Sequence, residues 1–103
     1  MDATVEEYVG RREAALARVR SVLADSLGVA RPPAEIDPDT ALFGSGLGLD
    51  SIDAVELVVQ LDAVFGVRLP NNVFGRAEMR TVNGIVDLVL AAEAAGTPDD
   101  AER

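Results

Sequence analysis

The sequence predicts an all-α protein: a small four-helix bundle of three long helices and one short helix, with a long loop between the first and second helices. Three observations carry this reading. Apolar residues recur at helical spacing in three separate segments, the period-two alternation of a half-buried strand is absent, and prolines and glycines crowd into one interval after the first segment. At 103 residues the chain makes one small domain, here assigned to residues 1–96, followed by a loose polar tail over 97–103.

Thr4 followed by Glu7 reads as a capping box opening the first helix, and Val5, Tyr8, Val9, Leu16, Val19, Val22, Leu23 and Leu27 supply its apolar side as far as Gly28. Glu7 and Glu6 can reach Arg11 and Arg12 along this helix. From Gly28 to Leu49 the chain carries Pro32, Pro33, Pro38, Gly44, Gly46 and Gly48, a density that no continuous helix tolerates. Leu42 and Phe43 are expected to pin this loop to the core. The run Gly44-Ser45-Gly46-Leu47-Gly48 hints at a phosphate cradle, but no strand precedes it and no lysine follows.

The second helix runs from the cap Asp50 to Phe65. On a wheel of 100 degrees per residue, Asp53, Glu56 and Gln60 form one narrow stripe. Ala54, Leu57, Val58, Leu61, Val64 and Phe65 form the apolar arc, which Ile52, Val55 and Val59 widen until little circumference remains polar. Those three residues serve either as core or as partner contacts. Asp62 marks where the arc surfaces. Gly66 ends the helix, a connector through Asn71 and Asn72 follows, and Val73 to Arg76 form the short element. Thr81 caps the last helix, whose buried side is Val82, Ile85, Val86, Leu88, Val89 and Leu90 and whose end is Gly96.

Composition narrows function sharply. The chain has no Cys and no His, and all nine basic residues are arginine, so thiol nucleophiles, imidazole triads and zinc fingers are excluded and no metal site is expected. The 18 acidic residues leave a net charge of −9, which opposes nucleic acid and anionic membranes and favours partners with basic faces. No secretory signal or membrane span is readable, and the expected location is cytoplasmic.

What remains is Gly48-Leu49-Asp50-Ser51-Ile52-Asp53-Ala54-Val55-Glu56-Leu57. Asp50 is a good N-cap, which makes Ser51 the first helical residue and turns its hydroxyl toward solvent. A serine nucleophile needs a base, and the chain holds no His or Lys, so Ser51 reads as a substrate and not as a catalyst. Asp50 and Asp53 as a carboxylate pair for glycoside chemistry would need a cleft that so short a chain does not build. This segment resembles the Asp-Ser-Leu attachment motif of acyl carrier proteins, with Ile52 at the leucine position. The resemblance spans about Val5 to Ala95 and includes Phe65-Gly66-Val67, Leu69-Pro70 and Thr81-Val82.

The resemblance implies that Ser51 carries a covalent 4'-phosphopantetheine, placed by a phosphopantetheinyl transferase from coenzyme A with magnesium. The arm's thiol then holds acyl intermediates as thioesters for acyl-loading, ketosynthase and tailoring enzymes, and the chain is a non-catalytic monomer. A phosphodiester at a helix start gains roughly 0.3 to 1 kcal/mol from the free amides. A carboxylate about 6 Å away repels it by roughly 0.7 kcal/mol in a water-like medium. Because these nearly cancel, Asp53 and Glu56 are read as attraction for basic docking patches, with Ile52, Val55 and Val59 beside them.

Ala63 and Val64 stand where fatty-acid carriers commonly continue with acids, and Asn71, Asn72, Gly75 and Arg76 are equally non-acidic. This favours a carrier for a specialised polyketide or fatty-acid-like pathway. The alternatives are an aminoacyl, peptidyl or D-alanyl carrier and, in another class, an unmodified helical interaction module.

Overall fold

The computed structural model describes residues 3–70 and 72–95, with side chains from residue 5 onward; the expected terminator Gly96, the tail and Asn71 lie outside them. Helix α1 spans Ala3–Ser21 and widens into one π-helical turn, Val22–Ser26. Helix α2 spans Ser51–Phe65, and α3 spans Val82–Ala95. Short 3-10 turns occupy Pro33–Glu35, Val73–Gly75 and Ala77–Arg80. Among the described residues there is no strand, only two isolated backbone bridges.

Residues from all three helices and from the connections meet in one core. Val19, Leu23, Ile36, Leu42, Leu57, Leu61, Val73, Val82, Ile85, Val86 and Val89 are essentially sealed from solvent. Burying a Leu or Ile of this kind contributes about 1.5–3 kcal/mol each, so the α2 pair Leu57 and Leu61 and the loop pair Ile36 and Leu42 weigh comparably. Ile36 was invisible in the sequence, a single apolar residue among prolines and acids. The loop is expected to hang on Leu42 and Phe43, and Leu42 is indeed fully buried, with Phe43 packed half-buried against the core.

The expected apolar side of α1 holds for its second half only. Ala15, Val19, Val22 and Leu23 are buried, whereas Val5, Tyr8 and Val9 are about half exposed. Of the α3 residues that share a surface pocket with Tyr8, Leu90 is long and apolar, but Asp87, Ala91 and Ala94 are too polar or too short to cover that end. The helices are joined here by charge instead. Arg12 donates to Asp87 Oδ1 at 2.6 Å and to Asn83 Oδ1 at 3.1 Å, and Arg11 lies 3.5 Å from Glu93. The Asp87 hydrogen bond raises the Arg12 pKa above its already high ordinary value, so this strut stays charged throughout the working pH range. Arg11 and Arg12 thus pair across to α3, not along α1 with Glu6 and Glu7. The helix begins at Ala3, so Thr4 already lies within it; the Thr4 side chain of the expected capping box is outside the described residues.

The short element also departs from expectation. Instead of one helix over Val73–Arg76 there are two consecutive 3-10 turns, broken where Arg76 adopts extended backbone. Their anchors are Val73 and Met79, both buried, and an intervening α-turn would carry one of them off the core. At α3 the expectation is met: the Thr81 hydroxyl accepts the Gly84 N–H at 3.1 Å.

Helix α2 buries a narrower face than its composition suggests. Ala54, Leu57 and Leu61 are inside, Val58 and Phe65 are half-buried, and Val64 surfaces. Arg18 of α1 covers Phe65, its guanidinium 5.4 Å from the ring centre. Asp62 does more than mark a boundary. Its backbone carbonyl accepts from Gly66 and Val67, and its Oδ1 accepts the Leu69 N–H at 3.1 Å, which fastens the connector as it leaves the helix.

This burial pattern separates two substitutions that look alike in sequence. Leu57→Ala is expected to lower the free energy of unfolding by about 2–5 kcal/mol, and Val55→Ala to change it by no more than about 0.5 kcal/mol, as read from urea denaturation. Equal losses would contradict the orientation of α2.

Candidate functional site

The loop arrives at α2 through two residues that point opposite ways. Gly48 has φ +76°, a left-handed conformation that side chains disfavour, and it turns the chain so that Leu49 enters the core. Leu49 N–H donates to the Leu42 carbonyl at 3.0 Å, fixing the strand-like approach. The glycine run before it is a packing device: Leu47 N–H reaches Ala41 O at 2.9 Å, and a Cβ on Gly46 would collide with that same carbonyl. Its close approach is to protein backbone.

Asp50 follows in extended conformation, φ −111° and ψ −174°, as the N-cap of α2. Its Oδ1 accepts the Asp53 N–H at 2.9 Å, and its own carbonyl accepts Ala54 N–H at 3.0 Å to start the helix. Asp53 closes a reciprocal bond, its Oδ2 accepting the Asp50 N–H at 3.0 Å. Together these form a capping box built from two aspartates. The spacing Asp50-x-x-Asp53 carries that signal in the sequence, beside the expectation of Asp53 as partner-facing charge.

Ser51 is the first residue of α2 and is exposed. Its neighbours Leu49 and Ala54 turn inward, so the hydroxyl stands at the positive end of the helix with no core to disturb. The flank of α2 beyond it is open and apolar: Ile52 is 78% exposed, and Val55 and Val59 are each 54% exposed. None of the three serves the core. Glu56 lies exposed beside them and accepts from Gln60 Nε2 at 2.7 Å. The structure thus brings Asp50, Ser51, Ile52, Asp53, Val55, Glu56 and Val59 onto one contiguous surface from the helix start downward.

Other concavities lie elsewhere. A surface groove of about 380 Å³ is lined by Arg18, Val22, Asp25 and Val64, toward the far end of α2 from Ser51. Among the described residues no cluster of three or more acidic side chains could hold a metal ion, and no helix is long and apolar enough to cross a membrane.

An exposed hydroxyl thus stands on a capped helix start over an apolar and acidic face, and comparison with known proteins supplies the family. Residues 17–89, more than half of the chain, match the family described as phosphopantetheine attachment site. An acyl carrier protein of Rubrobacter xylanophilus is 34% identical over 84 residues, covering 82% of this chain and 98% of that protein. One from Thermosynechococcus vestitus is 34% identical over 74 residues, covering 72% and 85%. A D-alanyl carrier protein of Streptococcus uberis is 45% identical over 49 residues, covering 48% and 61%. The chain belongs to the acyl carrier protein family, whose prosthetic group is a covalently attached 4'-phosphopantetheine.

The residues present fit that group. An exposed hydroxyl at a helix start offers an attachment oxygen and leaves the phosphate near free backbone amides. The cap that builds this turn is open to a direct check. Asp50→Ala is expected to cost about 0.5–2 kcal/mol of stability, while Asp50→Asn, which keeps an acceptor oxygen, retains most of it. An unchanged melting temperature for Asp50→Ala would rule the capping role out.

Proposed function

We propose that this chain is a non-catalytic acyl carrier and that Ser51 is the residue bearing its phosphopantetheine. The supporting observation is the exposed Ser51 hydroxyl at the first position of α2, the one serine that the capped turn presents outward. In loading, the Ser51 Oγ bonds to the β-phosphorus of coenzyme A while the pyrophosphate P–O bond breaks. Adenosine 3',5'-bisphosphate leaves, and the serine proton passes to a base on the transferase, since this chain has no His or Lys to take it. Once attached, the group supplies a thiol that holds an acyl cargo as a thioester.

In this reading residues 1–96 act as one monomeric cytoplasmic domain, and the pair of 3-10 turns stands in for the short fourth member of a four-helix bundle. Ile52, Val55 and Val59 make the apolar contact with visiting enzymes, and Glu56 attracts their basic patches. The partners are the transferase, then loading, ketosynthase and tailoring enzymes of a specialised polyketide or fatty-acid-like pathway. The exposed Val64 and the non-acidic Asn72, Gly75 and Arg76 support that specialisation, because the exposed acid of α2, Glu56, lies in its upper half and Asp62, lower down, is engaged by the Leu69 N–H. Acyl cargo is favoured over D-alanyl cargo because the likeness to acyl carrier proteins spans 98% and 85% of those relatives, against 61% for the D-alanyl carrier.

Incubation with coenzyme A, magnesium and a broad-specificity phosphopantetheinyl transferase is expected to add one phosphopantetheinyl unit to the intact mass, and none to Ser51→Ala. No gain by the native chain would favour the unmodified interaction module instead. Glu56→Lys is expected to fold normally but to slow loading by about 10-fold at low ionic strength, an effect that shrinks as salt screens it. Equal rates at low salt would remove Glu56 from the docking face.

A further inference from the structure

We propose that Asp53 is a positioning residue for Ser51 and that its carboxylate works through the Asp50 backbone, not as a charge read by partner enzymes. The inference rests on the proposed attachment at Ser51. Both acids of the upper α2 stripe look equivalent in sequence, but the structure separates them. Glu56 is exposed, and its carboxylate accepts from Gln60 on its own helix face. Asp53 is only partly exposed, and its Oδ2 is taken up by the Asp50 N–H at 3.0 Å while its own N–H is held by Asp50 Oδ1 at 2.9 Å.

Those two bonds enclose Ser51. They join residue 50 to residue 53 on both the backbone and side-chain sides, so the torsions on either side of the serine are fixed by its neighbours. Asp50 alone would cap the helix and leave its N–H, the hinge between the loop and α2, tied only to water. The second bond completes the clamp. A hydroxyl that must meet phosphorus in line gains rate from such preorganisation, since small misplacements at the attacking atom are costly. The carboxylate charge itself is dispensable here, because a phosphodiester on Ser51 would be repelled by it.

The test sets Asp53→Asn against Asp53→Ala, with the native chain and Ser51→Ala alongside, in transferase kinetics at low and high salt. Asparagine loses the charge and keeps an oxygen for the Asp50 N–H; alanine loses both. Asp53→Ala is expected to lower kcat for loading by about 5-fold, the weight of one capping bond, at either ionic strength. Asp53→Asn is expected to stay within about 2-fold of the native chain. Amide hydrogen exchange gives a second readout that needs no loading: the Asp50 amide should lose protection in Asp53→Ala and keep it in Asp53→Asn.

A loss shared by both variants, confined to KM and abolished by salt, would overturn the proposal and return Asp53 to the docking surface. Native rates in both variants, or unchanged Asp50 protection in Asp53→Ala, would overturn it as well. If the native chain gains no phosphopantetheine at all, the attachment reading itself fails. The exchange data then report separately on the clamp.

Discussion

The long loop would be a liability if it were not closed onto the start of α3, and that closure is made chiefly by backbone. Leu42 N–H donates to the Arg80 carbonyl at 2.8 Å, Val82 N–H to Thr40 O at 3.3 Å, and Asn83 N–H to Pro38 O at 2.8 Å. Asn83 Nδ2 adds a bond to Asp39 Oδ1 at 2.9 Å. These contacts place Leu42 in the core, and Leu42 in turn receives Leu49, after which the chain can only leave through Asp50 into α2. The position of Ser51 is therefore set by a segment of sequence far from it, at the beginning of the last helix. Buried backbone groups of so long a connection must all find partners, and the loop does so by borrowing the free ends of α3 and its preceding 3-10 turn.

Charge is distributed so that stability and encounter do not interfere. The arginines that join elements sit away from the site: Arg11 and Arg12 bind α1 to α3, Arg18 covers Phe65, and Arg20 Nε donates to the Ile36 carbonyl at 2.8 Å. None of them reaches the upper half of α2, whose acids are left to one another and to solvent. Arg76 pairs locally with Glu78, whose carboxyl pKa is lowered chiefly by that hydrogen bond. Arg76 is exposed and Glu78 partly so, and the pair adds little to the fold. Its contribution is present at neutral pH and fades as acid protonates Glu78.

Sequence pattern gave the three helices, the caps at Asp50 and Thr81 and the outward Ser51 because each depends on short-range chemistry. It failed where a residue's role depends on what lies opposite. Val5, Tyr8 and Val9 have perfect helical spacing yet stay about half exposed, and the α3 residues beside Tyr8 include Asp87, Ala91 and Ala94. Ile36 has no periodic companions and is nonetheless fully buried, because the loop closure carries it inward. The all-round apolarity of α2 left Ile52, Val55 and Val59 undecided between core and surface, since periodicity does not say which side of a helix has neighbours. Asp62 is legible as charge but not as the acceptor for the Leu69 N–H, a role that requires knowing where the chain goes next.

That exposed apolar flank bears on how a carrier must work. Ile52, Val55 and Val59 together forgo burial that could have added about 1.5–3 kcal/mol each had they faced the core. Three side chains are far short of the roughly 1,200–2,000 Å² that a stable protein complex buries. A face of this size is too small on its own to hold a partner for long. For a protein that hands one cargo to a succession of enzymes, weak docking is the requirement, because dissociation sets how quickly the next enzyme can bind. The aspartates nearest Ser51 are meanwhile tied into the helix cap, each carboxylate accepting the other's backbone N–H, so neither projects freely beside the apolar flank.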